Sequence, residues 1–286
     1  MEIVNAIYAN QVFLIITFGL LGLAIGSFIN VLIHRLPIML KNEYRKSCIE
    51  YLAEEPQIET QTFNILKPRS HCPKCKNIIL WWHNIPVVSY IMLGGKCKYC
   101  ANKIAWRYLI VEALTCLATI FVVLHFGNAH IKTFSMLILT WGLIATIFID
   151  LEQQIIPDNI TIPLIWLGLL LNANHIFTSP QNAVVGAIAA YAVLWIIARI
   201  FKLIRKMDGM GYGDFKLFAV FGAWLGWKLL LPIILVASIM GIIVGVTWIL
   251  TKKYFFTKPL PFGPYLAISG WLAFFFGQVA LKLYSF

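Results

Sequence analysis

The sequence predicts an all-α polytopic membrane protein, with about eight transmembrane helices and a small cytoplasmic insert carrying four paired cysteines. Three observations carry that prediction. Sixty per cent of the 286 residues are hydrophobic and only 12% are charged, about half the charged fraction of a soluble domain. Apolar runs of about 20 residues recur along the chain, the length needed to cross a hydrocarbon core of about 30 Å. Basic residues are distributed unevenly between the loops that such helices would alternate.

The apolar runs place helices near 12–33, 107–126, 133–150, 159–177, 182–201, 214–227, 229–250 and 263–283. Before the first run stands only Glu2, with no basic segment, so that run reads as a retained anchor rather than a cleaved signal. With the N-terminus outside, the first long loop, the 202–216 region and the 252–258 turn face the cytoplasm. Of the 23 Lys+Arg, only Lys132, Lys228 and Lys282 then fall on the other face. This asymmetry sets orientation by the positive-inside rule. It also accounts for the net charge of +11: basic loops that touch anionic lipid, with no nucleic-acid partner.

Three regions follow: an anchor helix (1–33), a polar insert (34–106) and a seven-helix body (107–286). On the anchor, Gly22, Gly26 and Asn30 share one stripe, followed by His34 and Arg35. Small residues on one stripe form a packing face for another helix. The insert holds eleven Lys+Arg, five Glu and five of the six cysteines, with too few apolar residues to be stabilised by a core alone. Its 41–67 segment is the least patterned part.

Within the insert, Cys72-x-x-Cys75 is followed by Cys97-x-x-Cys100. Two such knuckles at this separation match a tetrahedral four-thiolate zinc site. Lys74, Lys76, Lys96 and Lys98 flank it and offset its negative charge. Disulfides are disfavoured on a cytoplasmic face, and a redox dithiol needs no second knuckle. Four sulfur ligands leave no open position, so the zinc is structural. Cys48 and Cys116 lie outside the pattern and read as free thiols.

Carboxylates are scarce. Beyond Glu59 the chain has only Glu112, Asp150, Glu152, Asp158, Asp208 and Asp214. An ionisable group at membrane depth is expensive and is a functional candidate for that reason. Asp150 ends an apolar run, and Asp214 follows the glycines at 209, 211 and 213 and opens the next run. The assigned topology puts both at the cytoplasmic side. Two aspartates sharing a site do not both ionise cheaply, and one acid with one base is the division of labour of aspartic proteases. Proton-coupled transporters also carry carboxylates in helices, and that reading stays open. Asp158, after Pro157, reads as a helix N-cap, Asp208-Gly209 as a turn, Glu152 as a loop charge, and Glu112 as a group paired with a distant Arg or Lys.

The segments IDLEQQIIPD (149–158), GMGYGDFKL (209–217) and GSFINVLIHRLP (26–37), with the paired CxxC insert and WRY at 106–108, resemble the type IV prepilin peptidase family. The GxGD element is shared with the wider group of intramembrane aspartyl proteases, presenilin-like enzymes included. The resemblance spans nearly the whole chain. It implies a bacterial plasma-membrane enzyme that cleaves type IV prepilins and type II secretion pseudopilins on the cytoplasmic side, after the Gly of a short basic leader. It maps the catalytic pair onto Asp150 and Asp214. It further implies N-methylation of the new N-terminal residue with S-adenosylmethionine, associated with the insert and the Gly95 stretch. A peptidase without methylation is the alternative.

Overall fold

Helix formers run unbroken from Gln11 to Tyr51, and the first helix, α1, spans that whole stretch in the computed structural model. The model describes residues 11–52, 64–65, 67–69, 71–72, 74–79, 87–127, 130–207, 209–251 and 260–284. The turn expected at 252–258 and Asp208 lie outside these residues. The chain divides into two compact units, 1–145 and 146–286.

The helix expected to end near residue 33 therefore continues for some five turns. The apolar run stops there, but Met39, Leu40, Lys41, Glu43, Arg45 and Lys46 favour helix intrinsically, so the backbone carries on without apolar periodicity. Pro37 lies inside α1 and withholds one N–H from its ladder. At 1.5 Å per residue α1 is about 60 Å long, roughly twice a hydrocarbon core.

In the first unit α1 packs on α3 (Trp106–Phe126). The glycine stripe is the reason. A Cβ on Gly22 would stand 2.8 Å from the Cys116 Cα, and one on Gly26 would stand 2.8 Å from the Glu112 Cα. The packing face read from the sequence is thus the α1–α3 contact. A short helix α2 (Val88–Met92) lies in the insert. The first part of α4 (Ile131–Gln153) joins α3 through a 3.0 Å hydrogen bond from Trp141 Nε1 to Thr119 Oγ1.

The second unit comprises the end of α4, then α5 (Asp158–Ala173), α6 (Pro180–Arg205), α7 (Tyr212–Leu225), a 3-10 turn at Trp227–Leu229, α8 (Leu230–Leu250) and α9 (Gly263–Tyr284). Its centre is α7, where every residue from Leu217 to Trp224 is buried among α5, α6 and α9. At Gly186 and Gly222 the α6 and α7 backbones touch; a Cβ on Gly186 would stand 2.5 Å from the Gly222 carbonyl oxygen. Asn172 fastens α5 to the far end of α7. Its Nδ2 donates to the Ala223 and Trp224 carbonyls, and its Oδ1 accepts from Phe177 and Thr178 N–H. That fully satisfied amide ends α5 four residues short of its expected limit.

Among the described residues, five segments are long and apolar enough to cross a membrane: α1, α3, α4, α6 and Trp227–Leu250. The 16 residues of α5 and the 14 of α7 are shorter, about 24 and about 21 Å. The apolar character of α7 on all sides reflects burial in protein, which a short helix tolerates where lipid does not reach it.

Candidate active site

Asp150 lies one turn from the end of α4, and Asp214 lies in the first turn of α7. Both are buried, at 5% and 8% exposure. Together they line one cavity of about 300 Å³, with Gln154, Ile156, the Gly209–Gly213 loop, Leu260, Pro261 and Phe262. The two carboxylates that the sequence singled out are thus brought to a single space within the second unit.

Each carboxylate is held by a backbone N–H at a helix start. Gly211 is the residue preceding α7, and its N–H bonds the Asp214 carboxylate. An acid three residues into a helix, reaching back to the capping residue's N–H, is half of a capping box. The N–H of Gly263, the first residue of α9, bonds the Asp150 carboxylate. Partial positive charge at helix N-termini favours carboxylates there. Asp214 Oδ1, by contrast, is buried with no hydrogen-bond partner among the described residues.

Glycines make these approaches possible. A Cβ on Gly263 would stand 2.5 Å from Asp150 Oδ2, and one on Gly213 would stand 2.7 Å from the Ile156 Cβ. In the sequence, residue 263 reads only as the start of the last helix. The role of Gly263 shows in the Gly263-Pro264 pair that opens α9, but its contact with Asp150 is visible only in three dimensions.

Asp158 does not cap α5. The capping position is Pro157, without a side-chain cap bond, and the Asp158 carboxylate instead takes two hydrogen bonds from Lys216 Nζ, at 2.7 and 2.6 Å. As the first residue of α5, its side chain is free to leave its own helix for a cation on α7. Lys216 is a site neighbour that the sequence reading missed; its place two residues after Asp214 was the available signal. Glu152 is exposed on the last turn of α4, not in a loop. Among the described residues Glu112 has as partners the Val87 N–H, at 2.8 Å, and Ser27, and not the expected Arg or Lys.

In the insert the two knuckles repeat one geometry. The Cys72 N–H donates to the Asn77 carbonyl and the Lys76 N–H to the Cys72 carbonyl. The Cys97 N–H and Ala101 N–H make the same pair of bonds, to the Asn102 and Cys97 carbonyls. Lys76 and Ala101, each four residues after a first cysteine, both have positive φ, 60° and 53°. The ligand atoms of Cys72, Cys75, Cys97 and Cys100 lie within 4.8 Å of one another, and Cys72 and Cys100 Sγ are 3.8 Å apart. Four sulfurs placed about 2.3 Å from one tetrahedral ion stand about 3.8 Å apart, so the donor set fits zinc. The Cys75 and Lys74 backbone N–H groups hold the Cys72 thiol down to about 6. At Cys100 the Asn102 N–H also favours the thiolate, but burial and the other three sulfurs outweigh it and push the thiol up to about 11. A divalent cation held by these four residues would supply the charge that the last deprotonations need.

The chain matches two family models, the bacterial peptidase A24 N-terminal domain over residues 20–126 and the type IV leader peptidase family over residues 137–246. It is 44% identical to a prepilin leader peptidase/N-methyltransferase of Pseudomonas aeruginosa, over 93% of this chain and 91% of that protein. Proteins of the same name match from Stutzerimonas stutzeri, at 41% identity over 96% of this chain and 95% of theirs, and from Legionella pneumophila, at 40% over 98% of each. No solved structure matches the chain. With identity at this level over nearly its whole length, the chain belongs to the type IV leader peptidase family.

Proposed function

We propose that this protein is a prepilin leader peptidase and N-methyltransferase of the bacterial plasma membrane, and that Asp150 and Asp214 are its catalytic pair. The observation that carries the peptidase reading is the single cavity that these buried carboxylates line from two different helices. One carboxylate takes a proton from a water, whose oxygen attacks the carbonyl carbon of the leader's last Gly. The protonated partner donates to the carbonyl oxygen as it gains charge. When the intermediate collapses, the C–N bond breaks and the leaving nitrogen takes a proton, becoming the N-terminal amine of the mature pilin.

A pilin or type II pseudopilin presents one apolar helix, which lies against the bundle with its basic leader at the cytoplasmic interface. The uneven distribution of basic residues supports an orientation with that interface and the insert in the cytoplasm and the N-terminus outside. Methyl transfer to the new amine, from S-adenosylmethionine, is assigned to the insert and the α1 and α3 ends that adjoin it in sequence. Zinc on Cys72, Cys75, Cys97 and Cys100 holds the insert folded and takes no part in chemistry.

Incubation of the inserted enzyme with a prepilin, followed by mass measurement, tests both activities. A mass loss equal to the leader is expected, with an added methyl mass only when S-adenosylmethionine is present. Asp150→Asn and Asp214→Asn are each expected to cut the cleavage rate by about 1,000-fold or more while the protein still inserts. Full cleavage by either variant would exclude the pair.

A further inference from the structure

A second cavity, of about 520 Å³, lies within the first unit between α1, α3 and the insert. Its volume is that of a site for a cofactor-sized molecule. One acid, Glu112, lies among its lining residues. That carboxyl is buried at 8% exposure and is fixed by the Val87 N–H and by Ser27. Val87 is β-branched and has φ of +59°, a strained conformation of the kind that surrounding structure maintains at functional sites.

Beside Glu112 on the same wall is Asn30, one turn along α1 from Gly26. Its Nδ2 donates to the Tyr108 carbonyl at 3.1 Å, while its Oδ1 is buried and has no partner among the described residues. A buried carbonyl-type oxygen left unpaired requires a partner, and a bound ligand is one that supplies it. Tyr90 and Tyr108 add aromatic surface, and Lys98 and Lys103 add positive charge. A negative group, an orphan acceptor and aromatic rings suit a sulfonium cation. The lysines suit a carboxylate of the same molecule.

We infer that this cavity is the S-adenosylmethionine site, with Glu112 and Asn30 facing the sulfonium and the tyrosines enclosing it. The inference rests on the methyltransferase reading and adds a location to it. It assigns Glu112, which plays no part in peptide cleavage, a charge-specific role.

The test compares binding of S-adenosylmethionine with binding of S-adenosylhomocysteine, its neutral thioether counterpart, by calorimetry on the full chain in nanodiscs. Glu112→Gln is expected to weaken the sulfonium ligand by about tenfold or more and the thioether by about threefold or less. Zinc content equal to that of the parent shows that the insert has kept its fold. Equal losses for the two ligands would overturn the charge role. A second measurement uses the unaltered protein: ultraviolet cross-linking of radiolabelled S-adenosylmethionine is expected to label peptides within 27–35 or 89–112. Labelling confined to other peptides overturns the site. If the parent binds neither ligand, the methyltransferase reading itself falls.

Discussion

Lys216 Nζ sits 2.7 and 2.6 Å from the two carboxylate oxygens of Asp158, tying the start of α5 to the start of α7. Asp158 lies eight residues after Asp150, and Lys216 lies two after Asp214, so the ion pair joins the two chain segments that carry the buried aspartates. The side chains are 44% and 29% exposed. A pair so open to solvent contributes on the order of 0–1 kcal/mol to stability. The contact itself holds the starts of α5 and α7 together beside the two aspartates.

Lys216→Met or Asp158→Asn is therefore expected to leave the melting temperature nearly unchanged while slowing leader cleavage. Roughly 1 kcal/mol of lost positioning corresponds to about a fivefold drop in rate. The exchanged pair, Asp158→Lys with Lys216→Asp, is expected to recover part of that loss. Cleavage assays on the parent, Lys216→Met, Asp158→Asn and the variant carrying both measure the coupling directly, and independent, additive losses would show that the pair does no positioning.

Gly263→Ala is expected to damage cleavage out of proportion to its size. The added Cβ would stand 2.5 Å from Asp150 Oδ2 and 2.9 Å from Ile156 Cδ1, so the carboxylate must shift or rotate. A displacement on the order of 1 Å at a reacting group costs about 100-fold. Gly245→Ala is the matched control, because a Cβ there meets nothing within 4 Å. In the interior of α8 it is expected to stabilise the protein by about 0.4–1 kcal/mol. Kinetics and melting curves for the two variants separate site geometry from helix propensity.

Metal analysis of the purified protein is expected to find about one zinc per chain, the capacity of a single four-thiolate site. Cys72→Ser or Cys97→Ser is expected to lower that to background and to open the insert to proteolysis. Apparent binding energies of structural zinc run to about 10–16 kcal/mol in small domains, more than this polar segment can replace by burial. Zinc-free protein with a protease-resistant insert would refute the four-thiolate reading.

Local patterns in the sequence determined much of this molecule. All eight expected helices begin within about two residues of their expected starts, because apolar runs and the breaks between them are properties of neighbouring residues. The CxxC spacing named the four sulfurs that converge, and the glycine stripe of α1 named the face that packs on α3. Scarcity, a place at the ends of apolar runs and the resemblance carried by the 149–158 and 209–217 segments together pointed to Asp150 and Asp214.

Tertiary structure decided what depends on residues far apart in the chain. Asp158 pairs across 58 positions with Lys216 rather than capping its own helix; the two hydrogen bonds of a cation outweigh the single one that a cap provides. The extension of α1 to Tyr51 was hidden because polar helix formers leave no apolar stripe to read. Gly263 serves Asp150 only because α9 starts where α4 ends, and nothing local to either segment encodes that meeting. Only the folded chain puts the Asp150 and Asp214 carboxylates on one cavity, and only there does Asn30 of α1 come to line the same space as Glu112 of α3. Periodicity is set by neighbours along the chain, whereas a site is set by which distant surfaces the packing brings together.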